Sequence, residues 1–264
     1  MNVRRLVTRS GRCLLFVAVT GLLTGCNGFR VPDPDVRTIA FGDSSTDGPA
    51  EKNYWEFVQE DLGVPADWFA NEGEGGETAQ EGLERLTGLL ADGIYPNAET
   101  LLYWQGAAGV IDFIRRVDPL LLFDPGGADY PYSGSLDEEL DSVQASIEQA
   151  IETAQEAGLE VVVSTYYYLI PSVGQCDPAP LGVLLPGQAA NANRYVDRLN
   201  ERIRLAAQAA DVTLVDVAAI GDELLAEPGN YFDCRHLSVQ GNERVAELFL
   251  SALSGQAADT TADE

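Results

Sequence analysis

Apolar segments alternate with amphipathic segments along most of this chain, and that alternation limits the fold more than any other feature of the sequence. The apolar segments are nearly continuous, as is typical of parallel strands that are buried on both faces. Because they alternate with helices, they predict an α/β domain of three layers, α/β/α, with a five-stranded parallel sheet. The predicted strands cover residues 37–43, 67–73, 100–106, 159–171 and 212–218.

Helical periodicity is clearest between residues 136 and 154. Apolar residues recur there at steps of three and four, which places them on one face of a long helix that ends at Gly158. Other helices are predicted over residues 51–63, 77–93, 191–211 and 238–253. The apolar face of the long helix consists of Leu136, Leu140, Val143, Ile147, Ile151 and Ala154.

Two long connections interrupt this alternation, at residues 117–135 and 171–189. Both are rich in proline and glycine, yet both contain several leucines. Long loops in a compact domain often cover a binding site. These two are expected either to cover such a site or to pack against the helices of the domain.

The first 25 residues have the features of a targeting segment. Four arginines precede an apolar run of 13 residues, which is too short to span a bilayer as a helix. The run ends in "LLTGC", which resembles the lipobox of bacterial lipoproteins. That resemblance implies that Cys26 is lipidated and becomes the new N-terminus. The alternative is an ordinary signal peptide with an incidental cysteine.

The resemblance to lipoproteins also implies a place in the cell. The protein is expected to be exported and anchored in the cell envelope, facing the periplasm or the cell surface. No acidic residue directly follows Cys26, which by the same resemblance implies the outer membrane in a host with two membranes. Residues 26–35 are then a tether, residues 36–253 one domain, and residues 254–264 a disordered acidic tail.

Charge and residue usage exclude several functions. The formal net charge is -26, so polyanions are repelled and nucleic acid is not an expected partner. The chain has a single histidine and no metal-type cysteine spacing, so no metal site is expected. In an oxidising compartment Cys176 and Cys234 can form a disulfide. The alternative is two buried free thiols.

Three short sequence blocks lie at or after the ends of predicted strands, and their order along the chain is informative. They are "GDSSTDG" after the first strand, "NEGEGGET" after the second and "DCRHLS" after the fifth. Together they resemble the GDSL, or SGNH, hydrolase family, whose fold is flavodoxin-like. The resemblance implies a carboxylic ester hydrolase that needs no cofactor. Its substrate would be a small ester, with an acyl or acetyl group on a lipid or a glycan.

The same blocks suggest which residues act. A serine nucleophile needs a base within hydrogen-bond reach and a third group that orients the base. By resemblance, Ser44 is the nucleophile, His236 the base and Asp233 the orienting acid, which completes a Ser-His-Asp triad. Ser45 occupies the position of the family's leucine and is expected to be structural. Asp43 and Asp47 are expected to hold the turn.

The oxyanion donors match the family only in part. The resemblance assigns the backbone N–H groups of Ser44 and Gly76, and the family's third donor is an asparagine after the third strand. Ala108 stands at that position, and loss of one such donor typically costs about 100- to 1,000-fold in rate.

Four interpretations of this difference remain open. Gln105 or Asn71 supplies a substitute amide, or the enzyme uses two donors, or the protein is a catalytically weak or inactive binding lipoprotein on the same fold. The intact Ser44, Asp233 and His236 favour a hydrolase.

Overall fold

The computed structural model describes residues 30–123, 133–171 and 185–260. The chain divides into two units, residues 1–31 and 32–264, and almost all of the first lies outside the described residues. The predicted signal peptide and Cys26 fall there as well. Within the described part of the chain, no helix is both long and apolar enough to span a membrane.

The five predicted strands form one sheet in which every pairing is parallel. Its order is β2-β1-β3-β4-β5, which is the flavodoxin-like order, and helices lie on both sides of it. The predicted fold class is therefore confirmed. The strands are β1 (Thr38–Gly42), β2 (Phe69–Gly73), β3 (Thr100–Trp104), β4 (Glu160–Ser164) and β5 (Thr213–Val215).

The helices form two packed groups. The first and last helices pack against each other, while the second, fourth and fifth pack together in a separate group. The long helix follows the predicted period, since its apolar face is buried throughout. The helices are α1 (Tyr54–Asp61), α2 (Ala79–Ala91), α3 (Ala107–Arg116), α4 (Ser133–Glu156), α5 (Pro186–Ala209), α6 (Gly221–Ala226) and α7 (Val239–Thr260).

Three elements differ from the prediction. Helix α3 was not predicted, because it is short and has Gly106 directly before it and Gly109 in its first turn. Strand β4 ends at Ser164, where its pairing with β5 also ends, so the chain beyond it leaves the sheet. Helix α7 continues to Thr260, which corrects the predicted disordered tail for residues 254–260. Alanines in that segment favour helix, and residues 261–264 lie outside the described residues.

The long connections are only partly described. A 3-10 turn at Pro119–Phe123 follows α3, and α4 already begins at Ser133. Residues 124–132 and 172–184 lie outside the described residues, so the prediction that these segments cover the site remains a prediction.

Strands β1 and β3 approach closely where β1 ends. A Cβ atom at Gly42 would lie 2.1 Å from the carbonyl oxygen of Trp104, so only glycine allows this contact. The Trp104 ring packs between Tyr54 and Tyr167 in an edge-on arrangement, in the core of the domain. A tightly packed strand end therefore supports the turn that follows β1.

Candidate active site

The turn after β1 carries Ser44 and is built around Asp43. The Asp43 carbonyl accepts the N–H groups of Thr46 and Asp47 at 3.0 and 3.1 Å. Its carboxylate accepts the Ser45 N–H at 2.8 Å, which gives Ser45 a structural contact. These bonds hold the turn in one conformation, so Ser44 is presented at the carboxyl end of the sheet, next to the switch point between β1 and β3.

Tyr166 ties this turn to the segment that follows β4. The Tyr166 hydroxyl donates to Asp43 Oδ2 at 2.6 Å, and both side chains are buried. Burial raises the pKa of the Asp43 carboxyl, and the hydrogen bonds from Tyr166 and Ser45 lower it only in part. Sequence reasoning did not single out Tyr166, because its partner is 123 residues away in the chain.

Ser44, His236 and Asp233 lie together in hydrogen-bond contact. The His236 Nε2 atom is 3.0 Å from Ser44 Oγ, and its Nδ1 atom is 2.7 Å from Asp233 Oδ2. The side chains of His236 and Asp233 are only 13% and 16% exposed. When the Nδ1–H donates to Asp233, Nε2 is free to accept the serine proton. This arrangement can therefore activate a serine for attack on a carbonyl carbon.

Asp233 is held as a carboxylate. Burial raises its pKa, but the hydrogen bond to the His236 ring, the charge of that ring and two backbone N–H groups outweigh burial and lower it to about 2. The N–H groups of Arg235 and His236 donate to Asp233 Oδ1 at 2.7 and 2.8 Å. The Asp233 side chain thus presents a negative charge to the His236 ring and also holds the backbone of its own loop.

Two further contacts hold this loop, residues 233–236. The Cys234 carbonyl accepts the Ile170 N–H at 3.2 Å, and the Arg235 carbonyl accepts the Tyr167 hydroxyl at 2.7 Å. Cys234 is itself part of a disulfide. The partner predicted for it, Cys176, lies outside the described residues. A covalent link thus begins two residues before His236.

The two predicted backbone donors belong to residues beside the serine. Ser44 and Gly76 both line the same cavity, and Gly76 has φ +86°, a conformation that favours glycine. Among the residues that the structure describes, neither N–H donates to a protein acceptor. Both groups are therefore available to an oxyanion that forms near Ser44 Oγ.

The two substitute amides suggested by the sequence have other partners. The Gln105 Nε2 atom donates to Glu77 Oε2 at 2.9 Å and to the Thr78 carbonyl at 3.1 Å. The Asn71 side chain lies 3.4 Å from Asp47 Oδ1 and accepts the Gly73 N–H at 2.9 Å. Neither residue is among the described residues that line the cavity. Both assignments are corrected: an acid attracts Gln105, and Asn71 fixes a turn.

An apolar cavity of 360 Å³ opens beside Ser44. Helices α3 and α5 form its wall, and Ala108 lies in that wall where the family has asparagine. Sequence reasoning missed this wall because it did not predict α3. The periodic apolar residues of 110–114 were the available signal. The apolar lining includes Val110, Ile111, Ile114, Leu169, Val196 and Leu199.

Residues 40–244 match the sequence model of the GDSL-like lipase/acylhydrolase family. The chain belongs to this family. As the three sequence blocks predicted, it is an ester hydrolase of the GDSL type, and the match includes Ser44, Asp233 and His236. No curated protein is significantly similar to the chain in sequence.

Solved structures share the fold of this GDSL hydrolase. The acetyl xylan esterase AlAXEase is 21% identical with a TM-score of 0.53, over 82% of this chain and 99% of that chain. The acetylxylan esterase Axe2 from Geobacillus stearothermophilus is 16% identical with a TM-score of 0.53, over 85% and 96%. The psychrotrophic esterase EstA from Pseudoalteromonas sp. is 15% identical with a TM-score of 0.53, over 84% and 98%. At these identities the likeness shows the fold.

Proposed function

We propose that this protein is an exported, lipid-anchored serine hydrolase that cleaves carboxylic esters through Ser44, His236 and Asp233. The observation that carries the proposal is the pair of contacts at His236, 3.0 Å to Ser44 Oγ and 2.7 Å to Asp233 Oδ2. A site that only binds has no need for this arrangement. Export and the lipid on Cys26 rest on the sequence of residues 1–26.

The proposed reaction has two halves that share one proton carrier. His236 Nε2 takes the Ser44 proton as Oγ attacks the ester carbonyl, and Asp233 stabilises the imidazolium. The oxyanion accepts hydrogen bonds from the N–H groups of Ser44 and Gly76. His236 then gives its proton to the leaving alcohol, which leaves an acyl-Ser44. Water, deprotonated by His236, attacks the acyl group, and His236 returns the proton to Ser44 Oγ as the acyl–oxygen bond breaks and the carboxylic acid leaves.

The cavity supports an acyl group longer than acetyl. The structural relatives AlAXEase and Axe2 are named for acetyl esters of xylan, and an acetyl group on a glycan is one candidate substrate here. However, a cavity of 360 Å³ falls in the size range of small-molecule sites, and its wall between α3 and α5 is apolar apart from Asp112. Each buried methylene contributes about 0.8 kcal/mol, so this wall favours chains of several carbons.

The first experiment compares p-nitrophenyl hexanoate and acetate as substrates of the wild type and Ser44→Ala. We expect hydrolysis by the wild type, with a higher kcat/KM for hexanoate, and a loss of about 10,000-fold or more in Ser44→Ala. Equal hydrolysis by wild type and Ser44→Ala would overturn the assignment of Ser44. A preference for acetate would contradict the acyl-pocket argument alone.

The missing asparagine leads to a second experiment. Ala108 lines the cavity, so Ala108→Asn adds an amide where open space exists and restores the family's third donor. We expect kcat to rise about 10- to 100-fold on the acetate ester, because one donor is typically worth about 100-fold or more. If wild type and Ala108→Asn both stay at the Ser44→Ala background, the binding-lipoprotein alternative is favoured instead.

Anchoring has its own test. Cells that express the protein are labelled with a radioactive or alkyne-tagged palmitate, and Cys26→Ser serves as the control. The proposal expects label on the wild type and none on Cys26→Ser. An unlabelled wild type found in the soluble fraction would indicate an ordinary signal peptide.

A further inference from the structure

Arg235 stands beside the proposed base and lines the cavity. Its backbone is fixed at both ends, because its N–H donates to Asp233 and its carbonyl accepts from Tyr167. The residue is half-buried. The backbone that carries the guanidinium is therefore fixed beside the cavity.

Among the cations that the structure describes, the guanidinium of Arg235 differs even from those of Arg37 and Arg194, which donate to carbonyl or amide oxygens. Within the described residues it has neither an ion-pair partner nor a hydrogen-bond partner. Seven other basic side chains each contact a carboxylate. They are Lys52, Arg85, Arg116, Arg198, Arg202, Arg204 and Arg244.

The excess of acidic residues makes the lack of a described partner for Arg235 informative. The chain has 42 acidic residues and 16 lysines and arginines, so carboxylates outnumber cations more than two to one. A half-buried charge without a partner is unfavourable, because it loses water and gains nothing in exchange. An arginine also presents a planar fork of donors that fits a carboxylate or a phosphate. The site is thus suited to an anion that arrives from outside.

The direction of the reaction indicates which half of the ester carries the anion. In the proposed mechanism His236 protonates the leaving oxygen, so the alcohol half lies on the His236 side of the scissile bond. Arg235 is the neighbour of His236 and lines the same cavity, whereas the apolar wall between α3 and α5 is suited to the acyl half.

We propose that Arg235 is a specificity-determining residue that binds an anionic group, a carboxylate or a phosphate, on the alcohol half of the ester. This inference rests on the proposed function. The net charge of -26 repels anions at long range, so recognition depends on the local contact with Arg235.

The test uses two isosteric esters, 4-carboxyphenyl hexanoate, which is anionic, and 4-carbamoylphenyl hexanoate, which is neutral. We expect the wild type to prefer the anionic ester, and Arg235→Gln to lower the ratio of the two kcat/KM values about 10- to 100-fold, mainly through KM. Arg235→Lys should retain part of the preference. Arg244→Gln is the matched control, because it removes the same charge from a surface pair with Glu223 and should leave the ratio unchanged.

A second pair of esters distinguishes phosphate from carboxylate. 1-Hexanoylglycerol 3-phosphate and 1-hexanoylglycerol differ only in the anionic group. If the ratio for this pair exceeds that for the carboxylate pair, and falls more in Arg235→Gln, the natural group is a phosphate. The reverse order assigns a carboxylate.

A measurement on the wild type alone does not depend on how the variants fold. 4-Hydroxybenzoate, the anionic alcohol product, should inhibit hydrolysis of the neutral ester at least 10-fold more strongly than 4-hydroxybenzamide. Equal inhibition, or equal ratios in wild type and Arg235→Gln, would overturn the role of Arg235 while hydrolysis itself persists. A wild type that cleaves neither member of either pair would instead show that the proposed function is wrong, and this inference with it.

Discussion

The carboxyl end of the sheet holds two polar clusters, which we call the serine cluster and the arginine cluster. The serine cluster consists of Ser44, His236 and Asp233. The arginine cluster consists of Arg85 with Glu72 and Glu77. Each contains buried or half-buried acids, yet the described cavity is lined by members of the first cluster and by none of the second.

In the arginine cluster the opposite charges pair with each other. Arg85 contacts both oxygens of Glu77, at 2.6 and 2.7 Å, and Glu72 Oε2 at 3.1 Å. Its guanidinium also lies 4.0 Å from the centre of the Phe41 ring. The two acids therefore direct their charge at one half-buried cation, and the cluster joins β2 and the loop after it to α2.

In the serine cluster the acid acts through hydrogen bonds that lead to the cavity. Asp233 faces an imidazole and two backbone N–H groups, and the imidazole faces a hydroxyl that lines the cavity. Acids in similar surroundings thus have different roles because their hydrogen-bond partners differ. An acid paired with arginine stabilises the fold, whereas an acid paired with histidine can influence a reaction.

The largest difference between the clusters is expected for Asp233→Asn. Asparagine cannot hold the histidine tautomer that accepts the Ser44 proton, so kcat should fall about 10,000-fold. Ester hydrolysis at pH 7 measures the loss, and circular dichroism checks that the fold persists. Glu72→Gln is the matched control from the arginine cluster and should keep most of the activity. A similar loss in both variants would remove the functional distinction.

Arg85→Met should have the opposite effect: it should lower stability and leave kcat nearly unchanged. Methionine preserves some packing against Phe41 but leaves Glu72 and Glu77 buried without a cation, which costs about 3–5 kcal/mol of the free energy of unfolding. Urea denaturation measures this loss, and kcat below the unfolding transition should change little.

A surface pair provides the control for that variant. Arg204 pairs with Asp216 at 2.8 Å, with both side chains more than a third exposed. Arg204→Met should therefore cost about 1 kcal/mol or less. Equal losses in the two variants would mean that the arginine cluster is no more stabilising than a surface ion pair.

Much of the serine cluster could be predicted from the sequence. Strand ends in a parallel sheet converge at one edge, and the single histidine left one candidate base for Ser44. The hydrogen-bond partner of the Gln105 side chain could not be predicted. Strand alternation gives the face of a side chain but not the acid that attracts it, and Glu77 lies 28 positions earlier in the chain.

Helix α3 and the lack of a partner for Arg235 among the described residues were missed for related reasons. Helix α3 has only 10 residues, with a glycine in its first turn, and it packs against α4 and α5. Whether an arginine finds a carboxylate depends on residues that are distant in sequence. Local pattern thus predicts strands and motifs, whereas partners of charged side chains require the tertiary structure.

The pH dependence of stability sharpens the comparison further. The pKa of Asp233 falls from its usual value near 3.8 to about 2 in the folded protein, so the unfolded chain binds more protons between these values. Its contribution, about 2 kcal/mol, is present above pH 4 and is lost as the pH falls through 2. Urea denaturation from pH 5 to pH 2 should show the wild type losing this advantage over Asp233→Asn. A constant difference across that range would contradict the assignment.

The smallest effect is expected for Gln105→Ala, the residue that the sequence placed nearest the missing oxyanion donor. Its amide donates to Glu77 and Thr78, so the variant should lose about 1–2 kcal/mol of unfolding free energy with kcat/KM within about two-fold of wild type. Urea denaturation and ester hydrolysis measure both. A fall of 100-fold or more with the fold intact would contradict this assignment and make Gln105 an oxyanion donor, because the loss of one such donor typically costs about 100-fold or more.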